Sequence, residues 1–271
     1  MPGASRHTLL LSALPQRHDA ALTAWIDEAL RDEHRVVVKH RSQAEAALRR
    51  LLHESGWDRT LVDSGRIVLA DAARLGAQAG GRRELLAELH SDLLAQALAD
   101  GYAGLAMTGD APALQTLTAD VGELAAHERD IEQLTTHGPV RALCRYHPIR
   151  DAALLVDQLA IHRCDVDDDG WAATGSGHRW WISGEVDAEN ADRLLRVLCA
   201  AIDDGLGVVD VSALEFCDVA GLRALCTAAD TLPTGRELVL IGATSPVAKI
   251  FTVTGREHYP RLRLLHRSDR R

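Results

Sequence analysis

The stretch VVDVSALEFCDVAGLRAL, Val208–Leu225, decides how the C-terminal third of the chain folds. Val208, Val209 and Val211 are β-branched, and crowding at Cβ favours extended backbone there. The pattern predicts a short buried strand, a loop, and a helix that begins at Asp218 and turns Leu222 and Leu225 inward. Aspartate suits that point because its carboxylate accepts a backbone N–H that the first helical turn leaves without a partner. Gly221, within that turn, allows close approach to a neighbouring backbone or to a partner.

Outward from this stretch, Trp180–Ser183 reads as a strand and runs into Gly184-Glu185-Val186-Asp187. A helix is predicted from Ala188 to Asp204, with Ala191, Leu194, Leu195, Leu198 and Ile202 along one face. Glu237–Gly242 supplies a further strand. Ser245 and Pro246 then open a helix as N-cap and first-turn proline, and Gly255 closes it. Strands alternating with helices imply a small α/β layer in which helices cover a sheet.

These phrases resemble the STAS domain of anti-anti-sigma factors and stressosome proteins over Trp171–Leu265. The central motif of that family reads Asp-Ser-Ser/Thr-Gly-Leu. Here its slots hold Asp218, Val219, Ala220, Gly221 and Leu222, and Gly184–Asp187 is similar to the family's Gly-Glu-Leu-Asp. The resemblance implies an output domain whose helix start faces a protein partner, an anti-sigma factor of the kinase type. Asp218, Val219, Ala220, Gly221 and Leu222 are then the candidate partner-binding residues, with Glu185 and Asp187 alongside. Two plainer readings stay open: Asp218 as a helix cap alone, and Glu185 and Asp187 as a solvated turn. Val219 occupies the slot of the serine that partner kinases phosphorylate in that family, so it offers no oxygen to a phosphoryl group. Ser212, at a strand end, is more readily a turn former than a substitute acceptor.

The N-terminal part alternates in the same way. Thr8–Ser12, Arg35–Lys39, Arg66–Ala70, Ala103–Met107 and Arg141–Tyr146 read as strands. Helices are predicted over His18–Arg31, from Ser42 (capped by its own hydroxyl, with Glu45 completing a capping box) to Gly56, over Arg83–Asp100, and within Leu114–Leu134. This order implies a parallel sheet covered on both faces. His7, Asp100–Leu105 with Gly109-Asp110, His127-Glu128 and Leu143–Tyr146 resemble the MEDS domain, a sensory module related to RecA-like ATPases, over His7–Cys164. The resemblance implies sensing of a small organic molecule or of metabolic state. A ligand would be expected at the carboxyl ends of the strands, where open α/β sheets bind. The turn Leu14-Pro15-Gln16-Arg17-His18 lacks the glycines and lysine of a phosphate-binding loop, and its proline removes an amide donor, so ATP hydrolysis is not expected. A degenerate nucleotide-binding enzyme remains an alternative.

The expected fold class is thus α/β, a RecA-like parallel sheet with flanking helices followed by a STAS α/β domain. The expected organisation is a sensory domain over 1–164, an Asp- and Gly-rich linker over 165–177, and the STAS domain over 178–271.

Composition narrows the function. The 271 residues carry a formal net charge of -9, which opposes nonspecific contact with nucleic acid phosphates. Arg256, Arg261, Arg263, Arg267, Arg270 and Arg271 make a local basic tail that reads as a solubilising end. No apolar run reaches membrane-spanning length, Met1–Arg6 leads into a strand without a secretory segment, and five scattered cysteines read as reduced thiols. A cytoplasmic protein is expected.

Asp165, Asp167, Asp169 and Gly170 echo the start of a calcium loop, but Ser176 stands where the twelfth-position glutamate belongs. Cys144 with His147 and His162 with Cys164 are zinc-capable pairs, a pattern that a buried thiol and surface histidines also produce. Cys217 and Cys226, flanking the C-terminal helix start, read as small packing residues. No catalytic set, metal or cofactor is expected. The sequence reads as a non-enzymatic transcriptional regulator of bacterial type that acts by protein binding, with a stressosome-like scaffold or homo-oligomeric sensor as the alternative.

Overall fold

The computed structural model describes residues 6–57, 59–117, 121–149, 151–254 and 259–265. The chain divides into two compact units, Met1–His147 and Pro148–Arg271.

In the first unit the strands are β1 (His7–Ser12), β2 (His34–His40), β3 (Ile67–Asp71), β4 (Gly104–Asp110) and β5 (Val140–Tyr146). They lie in the order β1-β5-β4-β2-β3, and every pairing is parallel. The helices are α1 (Pro15–Arg31), α2 (Glu45–Glu54), α3 (Arg59–Asp63), α4 (Ala72–Gln78), α5 (Arg83–Ala99), α6 (Ala111–Leu114) and α7 (Val121–His137). Side chains alternate across each strand, so Val36 and Val38 join Leu22, Trp25, Ile26 and Ala29 of α1 and Leu48 and Leu52 of α2 on one face. Val37, Met107 and Ala142 point to the other face and pack with Ala97 of α5 and Ile131 of α7. Burial on both faces explains why these strands read as unbroken apolar runs.

The expected helix start at Ser42 is corrected. Ser42–Ala44 is a 3₁₀ turn, and the Ser42 hydroxyl donates to the Asp71 carboxylate rather than to its own helix. Glu45 is held by Arg49 one turn on, at 2.9 Å, so no capping box forms. The helical region over Leu114–Leu134 is two helices, α6 and α7, and residues 118–120 between them lie outside the described residues.

The second unit opens with α8 (Ala152–Ile161) and continues through β6 (Arg163–Asp167), β7 (Trp171–Ser176), β8 (Arg179–Val186), α9 (Ala191–Asp203), β9 (Val208–Cys217), α10 (Val219–Asp230), β10 (Leu238–Ile241), α11 (Ser245–Val253) and β11 (Leu262–Leu265). The strands follow chain order across the sheet. The β6–β7 and β7–β8 pairs are antiparallel, and the β8–β9, β9–β10 and β10–β11 pairs are parallel.

The linker expected over 165–177 is therefore replaced by two paired strands. Cys164, Val166, Trp171 and Ala173 are buried at alternate positions, and Asp165 accepts the Thr174 hydroxyl across the pair at 2.5 Å. Period-two burial outweighs the polarity of the aspartates. The expected loop after Val211 is also absent: β9 stays extended to Cys217, with register shifts against β8 beside Ser183 and Glu185. Helix α9 begins at Ala191 rather than Ala188, and Thr244, not Ser245, takes the cap position of α11. Gly255, Arg256, Arg267, Arg270 and Arg271, named as helix stop and basic tail, lie outside the described residues.

Candidate functional site

The amino end of α10 stands beside the end of β8. The Asp218 carboxylate accepts the Gly221 N–H at 2.9 Å, and the Asp218 N–H donates to the Val186 carbonyl at 3.0 Å. The capping role is thus observed. A Cβ on Gly221 would meet Cys217 Sγ and Val186 Cγ1 at 2.8 Å, so glycine is what lets the helix seat this closely. Leu222 is buried completely. Gly221 and Leu222, two of the five candidate partner-binding positions, therefore hold the tip in place from inside, on the core side of the first turn.

What faces outward is Val219, 46% exposed, with Ala220 and Asp218 half-buried beside it. Phe216, 45% exposed, pairs in register with exposed Glu185 of β8. Cys217 and Val186 point to the α10 side of the sheet, so their strand neighbours Phe216 and Glu185 point to the opposite face, and Val219 is the apolar group that the tip itself exposes. Asp187 acts within its own turn, where its Oδ1 accepts the Glu189 N–H at 2.8 Å and its N–H donates to Asn190 Oδ1 at 3.0 Å. Ser212 is exposed on β9, six residues before the cap. Burial pushes the Cys217 and Cys226 thiols up to about 12, which keeps them protonated packing groups.

Gly184, with φ +83, precedes Glu185. A Cβ there would run into the Gly170 carbonyl, the group that accepts the Glu185 N–H at 2.7 Å. The glycine in Gly184–Asp187 is a close-approach position that aims Glu185 outward.

The first unit contains a second grouping that sequence reasoning named only in pieces. On the α5 and α7 side of the sheet, His7, Lys39, His90, His127, Glu128, Cys144 and Tyr146 are all buried. Cys144 donates to Glu128 Oε2 at 3.2 Å and lies 3.5 Å from His7 Nε2, which is itself 3.4 Å from the same carboxylate oxygen. Tyr146 donates to Glu128 Oε1 at 3.0 Å, and His7 Nδ1 lies 3.1 Å from Glu132 Oε2. Burial and the Glu128 carboxylate hold the Cys144 thiol well above its ordinary value. Burial opposes a charge on His7, but the Glu128 and Glu132 carboxylates outweigh it and raise its proton affinity. Burial brings Lys39 down to about 8, and burial with the Lys39 cation brings His127 down to about 3. The ring nitrogens of His90 and His127 are buried without a hydrogen-bond partner among the described residues, their rings 5.3 Å apart.

Neither zinc-capable pair closes on itself. His147 turns to His18, ring centroids 4.9 Å apart, while Cys144 points to Glu128. His162 Nδ1 bonds the Gln158 carbonyl at 2.8 Å, and Cys164 Sγ lies 3.5 Å from the His162 carbonyl. At the first strand end, α1 starts at Pro15 directly after a two-residue turn, and the Leu14 N–H donates to Ser12 Oγ at 3.1 Å. No phosphate cradle is built there. A cavity of about 500 Å³ does open in this unit, lined by Arg49, Leu52, His53, Trp57, Val62, Asp63 and Ile67. It sits at the amino end of β3, not at the carboxyl ends where a ligand was expected.

The chain belongs to the family of the MEthanogen/methylotroph, DcmR Sensory domain (MEDS), whose model matches residues 6–163. A second model, described as Mlab, STAS domain, matches residues 172–265. The molecule is therefore a MEDS domain followed by a STAS domain. No curated protein matches the chain. Among solved structures, the DUF1998 helicase MrfA aligns over 95% of this chain and 46% of its own at 13% identity, with a TM-score of 0.35. Its DNA-bound form aligns over 97% and 40% at 11% identity, with a TM-score of 0.36. The chain spans less than half the length of those solved chains, and likeness at that level carries no argument about this one.

Proposed function

We propose that the protein is a non-enzymatic signalling regulator in which the MEDS domain receives a signal and the STAS domain delivers it by binding a protein, an anti-sigma factor of the kinase type, so that transcription changes. The observation that carries this reading is the tip of α10, where Val219 is 46% exposed on a helix start capped by Asp218. An exposed apolar residue on a rigid, capped helix start is a docking feature that phosphorylation cannot switch off. Control then belongs to the MEDS domain.

Calorimetric titration of the full chain against kinase-type anti-sigma factors, with and without ATP, tests this. Binding of equal strength under both conditions is expected. Val219→Glu is expected to weaken binding about tenfold or more, as loss of a central contact does. Labelled phosphate on the Val208–Leu225 peptide, or unchanged binding by Val219→Glu, overturns it. Trp181, 43% exposed, together with Phe216 favours the competing reading of a self-assembling scaffold. Sedimentation at several concentrations separates the two, since large concentration-dependent species support the scaffold alone.

A further inference from the structure

We propose that the MEDS domain binds one divalent transition-metal ion, zinc by the mixture of its donors, between His7 Nε2, Glu128 Oε2 and Cys144 Sγ. The three groups come from the first residue of β1, from α7 and from β5, and all are buried. Their donor atoms stand 3.4, 3.2 and 3.5 Å apart. With zinc–nitrogen and zinc–oxygen bonds of about 2.0–2.2 Å and a zinc–sulfur bond of about 2.3 Å, the edges of a tetrahedron are about 3.3–3.7 Å. The donors therefore already have nearly the separations the ion requires, and a tetrahedral ion takes one further donor.

The surrounding groups have the arrangement that metal ligands need. With the ion in place of a proton at His7 Nε2, the Glu132 carboxylate holds the remaining ring proton at Nδ1, and the Nε2 lone pair is directed at the ion. Tyr146 holds the other oxygen of Glu128, which turns Oε2 inward. These are the two outer contacts that orient an imidazole and a carboxylate on an ion. Charge also balances. Lys39 faces the cluster from β2, and with a divalent ion its positive charge is matched by Glu128, Glu132 and the Cys144 thiolate. On uptake the Cys144 thiol passes its proton to solvent and the sulfur lone pair bonds the ion.

Cobalt(II) titrated into chelator-treated full-chain protein tests the site by absorbance. One equivalent is expected to bind, with a thiolate-to-cobalt charge-transfer band and the visible bands of a tetrahedral ion, and zinc is expected to displace it. Cys144→Ser is expected to abolish the charge-transfer band. Glu132→Gln leaves all three donors in place and is expected to weaken zinc binding about tenfold to a hundredfold. The wild-type spectrum decides even where a variant fails to fold. No cobalt uptake by the wild-type chain, uptake without the thiolate band, or a band that survives Cys144→Ser overturns the proposal. None of these outcomes depends on what the STAS tip binds.

Discussion

Asp218 and Gly221 do different work within one helical turn. The aspartate supplies an acceptor to the Gly221 N–H, and the glycine supplies an absence, since any Cβ would press on Cys217 and Val186. Asp218→Ala removes the acceptor and is expected to destabilise the protein by about 1 kcal/mol in urea denaturation. Gly221→Ala is expected to cost about 1–3 kcal/mol in the same measurement, because a methyl must be forced into a packed contact. A Gly221→Ala chain as stable as the wild type would mean that the helix shifts freely away from β8. The motif's aspartate, glycine and buried leucine were legible from residue type and spacing. Which of the five positions face outward was not, because exposure depends on the strand beside the helix.

Among elements, β8 and β9 illustrate how a strand pair is tied by charge as well as by its ladder. Arg179 of β8 donates to Asp210 Oδ2 at 2.9 Å, and the Ser212 N–H donates to Oδ1 at 3.0 Å. Burial alone would raise the Asp210 pKa, but the Ser212 and Arg179 hydrogen bonds outweigh it and hold the carboxyl below its ordinary 3.8. The unfolded chain therefore binds this proton more readily than the folded one. The stabilisation is fully present above about pH 4 and is lost as acid takes the pH down through the folded value. Asp210→Asn is expected to lower stability at pH 7 and to flatten the acid limb of a stability–pH curve. An unchanged acid limb would show that the pair is not formed in solution. Strand identity here was legible from Val208, Val209 and Val211. The length of β9 was not, since Glu215 and Phe216 read as loop until β8 supplies the partner that keeps them extended. The β6–β7 pair was hidden for a related reason: four aspartates and three glycines signal a linker by composition, while burial at every second residue makes a strand.

For the whole molecule, the net charge of -9 and the predominance of aliphatic side chains set the terms of interaction. Among the described residues no helix is long and apolar enough to cross a membrane. An acidic chain repels phosphate backbones, so no retention of duplex DNA is expected in a gel-shift assay at physiological salt. Salt-sensitive binding there would place an unrecognised basic surface on the molecule. Both domains were legible in the alternation of strand and helix, because each element carries its own periodicity and caps. The family phrases were legible too, as four separate pieces: His7, Asp100–Leu105 with Gly109-Asp110, His127-Glu128 and Leu143–Tyr146.

The sequence by itself determined the α/β class, the two-domain order, the capped helix start of the STAS domain and the missing hydroxyl at Val219. Those are properties of neighbours in the chain, which local backbone preference and side-chain spacing express directly. Only the tertiary structure decided that His7 meets Cys144, 137 positions away, and that Glu128 stands between them. Strand order in a parallel sheet brings β1 beside β5, and α7 then crosses over both, so a set of donors forms that no local spacing encodes.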